Sequence, residues 1–223
     1  MLRRHVLVSG LIALGLSGLT GASEPAAAAP AAPQRLVYEV HHSRYGTIGT
    51  YTNAVEKSGD STTVSTEAHI TVSLLGVVLY RQEASRREQW TGNRLMSFKG
   101  VTTINGKPME MTGEAQGDRF VMMSPEGDIV APATVRIANP WSPDVLHGDT
   151  ILTPDRGRME NVKVKGGEET SVALNGHSTK AKRYEIDRLD GSKRYEVWLD
   201  DRGTPVQFTM YNPGGTVTFT LSG

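Results

Sequence analysis

Thr62-Thr63-Val64-Ser65-Thr66-Glu67-Ala68-His69-Ile70-Thr71-Val72-Ser73-Leu74-Leu75 alternates almost without a break. Val64, Thr66, Ala68, Ile70, Val72 and Leu74 share one face, while Thr63, Ser65, Glu67, His69, Thr71 and Ser73 share the other. A period of two held this long describes a strand with one face in a core and one in water. The same period recurs outward in both directions from Leu36 to the end of the chain, where Val217, Phe219 and Leu221 alternate against Thr216, Thr218 and Thr220. No window carries an apolar stripe of helical spacing for more than about two turns. The chain reads as all-β.

Turn signals punctuate the alternation: Ser58-Gly59-Asp60, Thr91-Gly92-Asn93, Asn105-Gly106, Gln116-Gly117-Asp118, Glu126-Gly127-Asp128, Asn175-Gly176, Asp190-Gly191 and Asp201-Arg202-Gly203. The two Asn-Gly pairs supply the left-handed residues a tight type I′ hairpin needs. Counting runs between turns predicts an antiparallel meander of about eleven to thirteen strands. So many strands in one domain must curl into a strongly curved sheet or incomplete barrel, because a long flat sheet leaves exposed edges. One segment, near 139–157, breaks the pattern with Pro140, Pro143 and Pro154. There a short helix or loop insertion is expected, with Ser142 as N-cap, Pro143 at the first position and a stop at Gly148.

Before the meander stands a different kind of sequence. Residues 1–29 combine a basic start (Arg3, Arg4), an apolar run and small residues, the layout of a secretory signal peptide with its cleavage region. Residues 30–35 form a flexible leader, and 36–223 a single β domain. The apolar run is broken by Ser9, Gly10, Gly15, Ser17 and Gly18 and is too short for a stable transmembrane anchor. Export points to the periplasm, and Arg3-Arg4 leaves the twin-arginine route open.

Composition removes several function classes. Of 223 residues, 24 are Lys or Arg and 24 are Asp or Glu, so no net field draws the chain to nucleic acid. Without cysteine there are no disulfides, thiolate metal sites or lipidated cysteine. The chain also lacks a Gly-x-Ser-x-Gly elbow, a phosphate-binding loop, a zinc-protease helix and a dinucleotide fingerprint, so no catalytic residue and no cofactor is implied. His41 and His42 are adjacent on a strand and point to opposite faces, which keeps them from sharing a metal.

Candidate binding residues lie in two places. Strand 77–90 in one phase carries Val78, Tyr80, Ala84 and Trp90 inward, and with them Gln82, Arg86 and Glu88, the last two spaced to pair. A bulge would instead turn all three polar groups to water. In the irregular segment, Trp141, His147, Asp149 and Arg156 gather an aromatic face, a titratable ring and both charges. Trp141, His147, Arg86, Glu88 and Trp90 are therefore the candidate ligand-binding set. Residues 74–80 are apolar apart from Gly76, either a hairpin tip meeting a lipid or partner, or a strand buried on both sides.

The order of several short stretches carries a resemblance. Leu36-Val37-Tyr38-Glu39-Val40, Thr47-Ile48-Gly49, Val78-Leu79-Tyr80-Arg81, Glu88-Gln89-Trp90-Thr91-Gly92-Asn93-Arg94-Leu95, Asn105-Gly106 and Asn139-Pro140-Trp141 resemble a family of secreted bacterial all-β proteins described only as a domain of unknown function. The curved-sheet layout and Val197-Trp198-Leu199-Asp200 turning at Gly203 are similar to periplasmic lipoprotein carriers, whose unclosed barrel holds acyl chains. That likeness implies a non-enzymatic periplasmic protein binding a lipid or other hydrophobic small molecule in its concave face. The alternative is a cell-envelope structural or interaction module with a self-filled core and a protein partner. Trp90, Met96, Phe98, Phe120 and Met122 meeting in the interior would favour that alternative. A hydrolase using groups near His147 is the third reading.

Overall fold

The computed structural model describes residues 32–191 and 194–223. The expected signal segment, 1–29, lies outside the described residues. Fifteen strands follow one another: β1 (Gln34–His42), β2 (Gly46–Ser58), β3 (Ser61–Leu74), β4 (Val77–Thr91), β5 (Arg94–Ile104), β6 (Lys107–Gln116), β7 (Arg119–Met123), β8 (Ile129–Pro132), β9 (Arg136–Ile137), β10 (Thr150–Thr153), β11 (Arg158–Leu174), β12 (His177–Arg188), β13 (Arg194–Leu199), β14 (Pro205–Asn212) and β15 (Gly215–Leu221). The expected count was lower because β8, β9 and β10 are too short for alternation to show, and the last falls inside the segment expected to be only helix or loop. A single 3-10 turn, Pro143–Leu146, occupies the predicted helix position, and the Ser142 hydroxyl accepts the Asp144 N–H at 3.0 Å.

All fifteen strands make one sheet in the order β8-β7-β6-β5-β4-β3-β2-β1-β15-β14-β13-β12-β11-β10-β9. Every pairing is antiparallel except that of β9 with β10. The first and last strands meet in the middle, in register from Tyr38–Leu221 to His42–Val217. The chain thus runs outward from β1 to one edge at β8, then starts again at the opposite edge with β9. Residues 133–135 alone join the two edge strands, so the edges lie within about 14 Å of each other. The sheet curls almost into a barrel yet does not close by strand pairing. Across this gap Arg158 pairs with Glu126.

Bulges supply the curvature. Ile48 on β2, Leu79 on β4, Met96 on β5, Gly167 on β11 and Val206 on β14 are each the extra residue at a register shift. The bulge at Leu79 ends the phase that would have carried Val78 inward, and Val78 is exposed. From Tyr80 to Trp90 the strand then keeps a single phase, with Ala84, Arg86, Glu88 and Trp90 all buried.

Among the described residues there are two large apolar clusters, besides a small one of Val172, Ala181 and Val206. At the end where β4 turns into β5, Val64, Trp90, Leu95, Phe98, Phe120 and Met122 pack together. Met96 is left out because its bulge turns it to solvent. The other cluster centres on Tyr38, Tyr51, Phe208 and Phe219, with the two phenyl rings stacked 4.1 Å apart. Each such buried side chain contributes about 1.5–3 kcal/mol. The chain between β9 and β10 passes between the clusters, and Trp141 touches both.

Candidate functional site

Beside the cluster of Tyr38, Tyr51, Phe208 and Phe219 lies a cavity of about 720 Å³. Ile48, Ile70, Val72, Val145, Phe208 and Phe219 give it an apolar wall. These are alternate residues of β2, β3, β14 and β15, together with Val145 of the 3-10 turn, so the period of two that builds the strands also faces the cavity.

The opposite wall is charged. Arg86 lines it with a buried guanidinium that pairs with Asp155 and donates from Nη2 to Thr102 Oγ1 at 3.2 Å. Its Nε is buried without a hydrogen-bond partner. Asp155 comes from the turn between β10 and β11 and is half exposed. Glu160, also buried, faces the cavity as well. Glu160 is held by Arg188 at 3.2 Å and by the Tyr195 hydroxyl at 3.1 Å. Glu196, between the inward-facing Tyr195 and Val197, points to the other face of β13, where it takes Arg183 at 2.5 Å and the Tyr211 hydroxyl at 2.6 Å. Burial, with Glu160 beside it, pushes the Tyr195 hydroxyl well above the ordinary phenol range. At the mouth, burial and then Arg44 and His41 hold His42 below the ordinary imidazole range.

Behind the apolar wall sits a polar knot that seats the Asn139-Pro140-Trp141 segment. Asn139 Oδ1 accepts from the Tyr51 hydroxyl and from Asn53 Nδ2, both at 2.9 Å. Its Nδ2 donates to Thr66 Oγ1 at 3.1 Å and to Glu88 Oε1 at 2.8 Å. Thr66 in turn donates to Asn53 Oδ1 at 2.7 Å. Glu88, 1% exposed, accepts on its other oxygen from the indole N–H groups of Trp90 (2.9 Å) and Trp141 (3.1 Å). Burial pushes the Glu88 carboxyl above its ordinary range, against the pull of these donors.

The five residues singled out from sequence thus separate. Arg86 lines the cavity. Glu88, Trp90 and Trp141 meet one another in the knot and do not line it. His147 stands apart on the surface, its side chain 70% exposed, 3.5 Å from the Asp144 carboxylate. The expected pairing of Arg86 with Glu88 is replaced: Arg86 finds Asp155, and Glu88 finds neutral N–H donors. Residues two apart on a strand share a face, but a side chain from an inserted segment can reach each of them separately. Asn53, Thr66 and Asn139 were missed. Thr66 carried the available signal, a polar residue in phase with Val64 and Ala68 on the core face.

Residues 38–222 match the sequence pattern of the domain of unknown function DUF6134. The chain belongs to this family. A crystal structure of a β-barrel-like protein of another domain of unknown function, DUF1849, from Brucella abortus is similar to this DUF6134 chain in fold, with a TM-score of 0.61 and 13% identity, covering 86% of this chain and 97% of that one. No curated protein matches. Among the described residues of the DUF6134 chain, no helix is long and apolar enough to cross a membrane.

Proposed function

We propose that the protein is an exported, non-enzymatic binding protein of the bacterial periplasm that holds a lipid or other hydrophobic small molecule. The observation that carries the reading is the cavity itself: about 720 Å³, apolar on one wall and ion-paired on the other. That volume falls within the range of small-molecule sites, roughly 300–1,000 Å³. An amphipathic ligand fits such a division, its chain against Phe208 and Phe219 and its head near Arg86, whose Nε has a hydrogen bond left to give. The leader-like residues 1–29 support export.

The test is native mass spectrometry of the protein purified gently from cells, with solvent extraction of whatever is bound. A hydrophobic mass at near-stoichiometric occupancy is the expected result. An empty protein that also takes up no added fatty acid or phospholipid would overturn the reading. The envelope-module alternative would then take its place, supported by the packed cluster of Trp90, Phe98, Phe120 and Met122 at the far end.

A further inference from the structure

Three hairpins in this molecule turn on the same pair of dihedrals. At Asn105-Gly106 and Asn175-Gly176 the two residues have φ near 50° and 80°, and at Leu75-Gly76 they have φ of 50° and 82°. Asn tolerates the left-handed region because its short side chain can bond its own backbone, whereas a branched apolar residue gains nothing there. Leu75 is also 96% exposed. Leucine is thus unfavourable at this position both for the backbone and for solvation, and such a local violation marks a functional demand.

The surroundings say what that demand is. Leu74, Val77, Val78 and Leu79 are exposed as well, so the hairpin tip is apolar on both faces. It overhangs its neighbour, since β4 pairs with β5 only from Gln82–Ile104 onward. Its bulged residue, Leu79, belongs at once to the exposed tip and to the cavity lining, with Tyr80 next to it. Arg44, Lys107 and Arg156, on or beside turns at the same end of the sheet, are exposed and have no ion-pair partner among the described residues. The carboxylates Glu83, Glu126 and Asp155 there are already held by Arg81, Arg158 and Arg86. Asp128 is the one unpaired acid on those turns among the described residues. The end that opens the cavity is therefore apolar at its tip and cationic around it.

We propose that the 74–79 hairpin inserts into an anionic lipid bilayer and brings the cavity mouth against it. This rests on the hydrophobic-ligand reading, and it adds where the ligand is exchanged. Apolar side chains enter the acyl boundary while nearby cations meet lipid phosphates, the division that interfacial membrane elements share.

The experiment uses protein expressed from the full gene and purified as the cell processes it. Co-sedimentation is measured with phosphatidylcholine vesicles with and without phosphatidylglycerol. Binding is expected to the anionic vesicles and to weaken with salt. Leu75→Asn should reduce partitioning roughly tenfold or more, while leaving fatty-acid uptake from solution unchanged and the melting temperature equal or higher, because Asn suits the turn. Wild-type protein that ignores both kinds of vesicle, or a Leu75→Asn variant that sediments like wild type, would overturn the proposal. The two readings fail separately. A ligand-free protein whose vesicle binding depends on Leu75 keeps the docking hairpin and loses the carrier, whereas a ligand-loaded protein blind to vesicles does the reverse.

Discussion

Asn139 makes a hydrogen bond with every donor and acceptor its side chain offers, and it makes them to four residues on three different strands and no neighbour in sequence. A buried amide so fully used fixes the inserted segment to the sheet. Replacing it with alanine leaves Glu88, Tyr51 and Asn53 each short of a partner in the interior. Asn139→Ala should cost about 3 kcal/mol or more, read from urea unfolding, and a loss under about 1 kcal/mol would contradict the knot's role. Glu88 adds a pH signature. Its folded-state pKa lies above its unfolded value, so the folded protein binds the proton more tightly. The Glu88 contribution is then fully present below the unfolded pKa, ordinarily 4.5, and is lost as the pH rises through the folded one. In Glu88→Gln, which cannot titrate, unfolding free energy should fall less steeply with rising pH above that value. Equal slopes in the two proteins would show that Glu88 is not the group responsible.

Among elements, the strands were legible and their irregularities were not. Alternation over 62–75 and the two Asn-Gly pairs predicted β3 and two of the hairpins, because period and turn chemistry are local. A bulge shifts the phase by one residue and leaves no such mark, which is why Val78 turned outward against expectation. Leu75-Gly76 escaped notice for the opposite reason, since leucine does not announce a left-handed residue. The pairing of Arg86 with Asp155 spans too much chain for any spacing rule to reach. One bulge has a sequence trace after all. Gly49, beside the extra residue Ile48, has φ +154°, and a Cβ there would sit 1.9 Å from the backbone oxygen of His69. That atom cannot retreat without breaking the β2–β3 ladder. Gly49→Ala should destabilise by about 2 kcal/mol or more, and a melting temperature within a degree or so of wild type would show that the bend accommodates a side chain.

For the molecule as a whole, the weak line is the gap between β8 and β9. The two strands contribute only four and two residues, and side chains such as Arg158 and Glu126 span the gap in place of a ladder. An exposed ion pair of this kind adds little, because water and salt screen it. Amide hydrogen exchange should therefore be fastest in β8, β9 and β10 and slowest in β1, β2, β3 and β15, where the sheet is paired on both sides. Uniform protection around the ring would mean that the gap is held by something stronger than side chains.

The meeting of β1 with β15 has its own consequence. Adjacent antiparallel strands bring the start of one beside the end of the other, and Ser222 and Gly223 already bond to Val37. Joining the two ends of the β domain by a short linker and cutting at 133–135 would give a circular permutant beginning at β9 and ending at β8. In that reordered chain every hydrogen-bonded strand would also be a sequence neighbour, and the long closure from β1 to β15 would vanish. Since contacts close in sequence form faster, the permutant should fold more quickly than the natural chain to the same sheet.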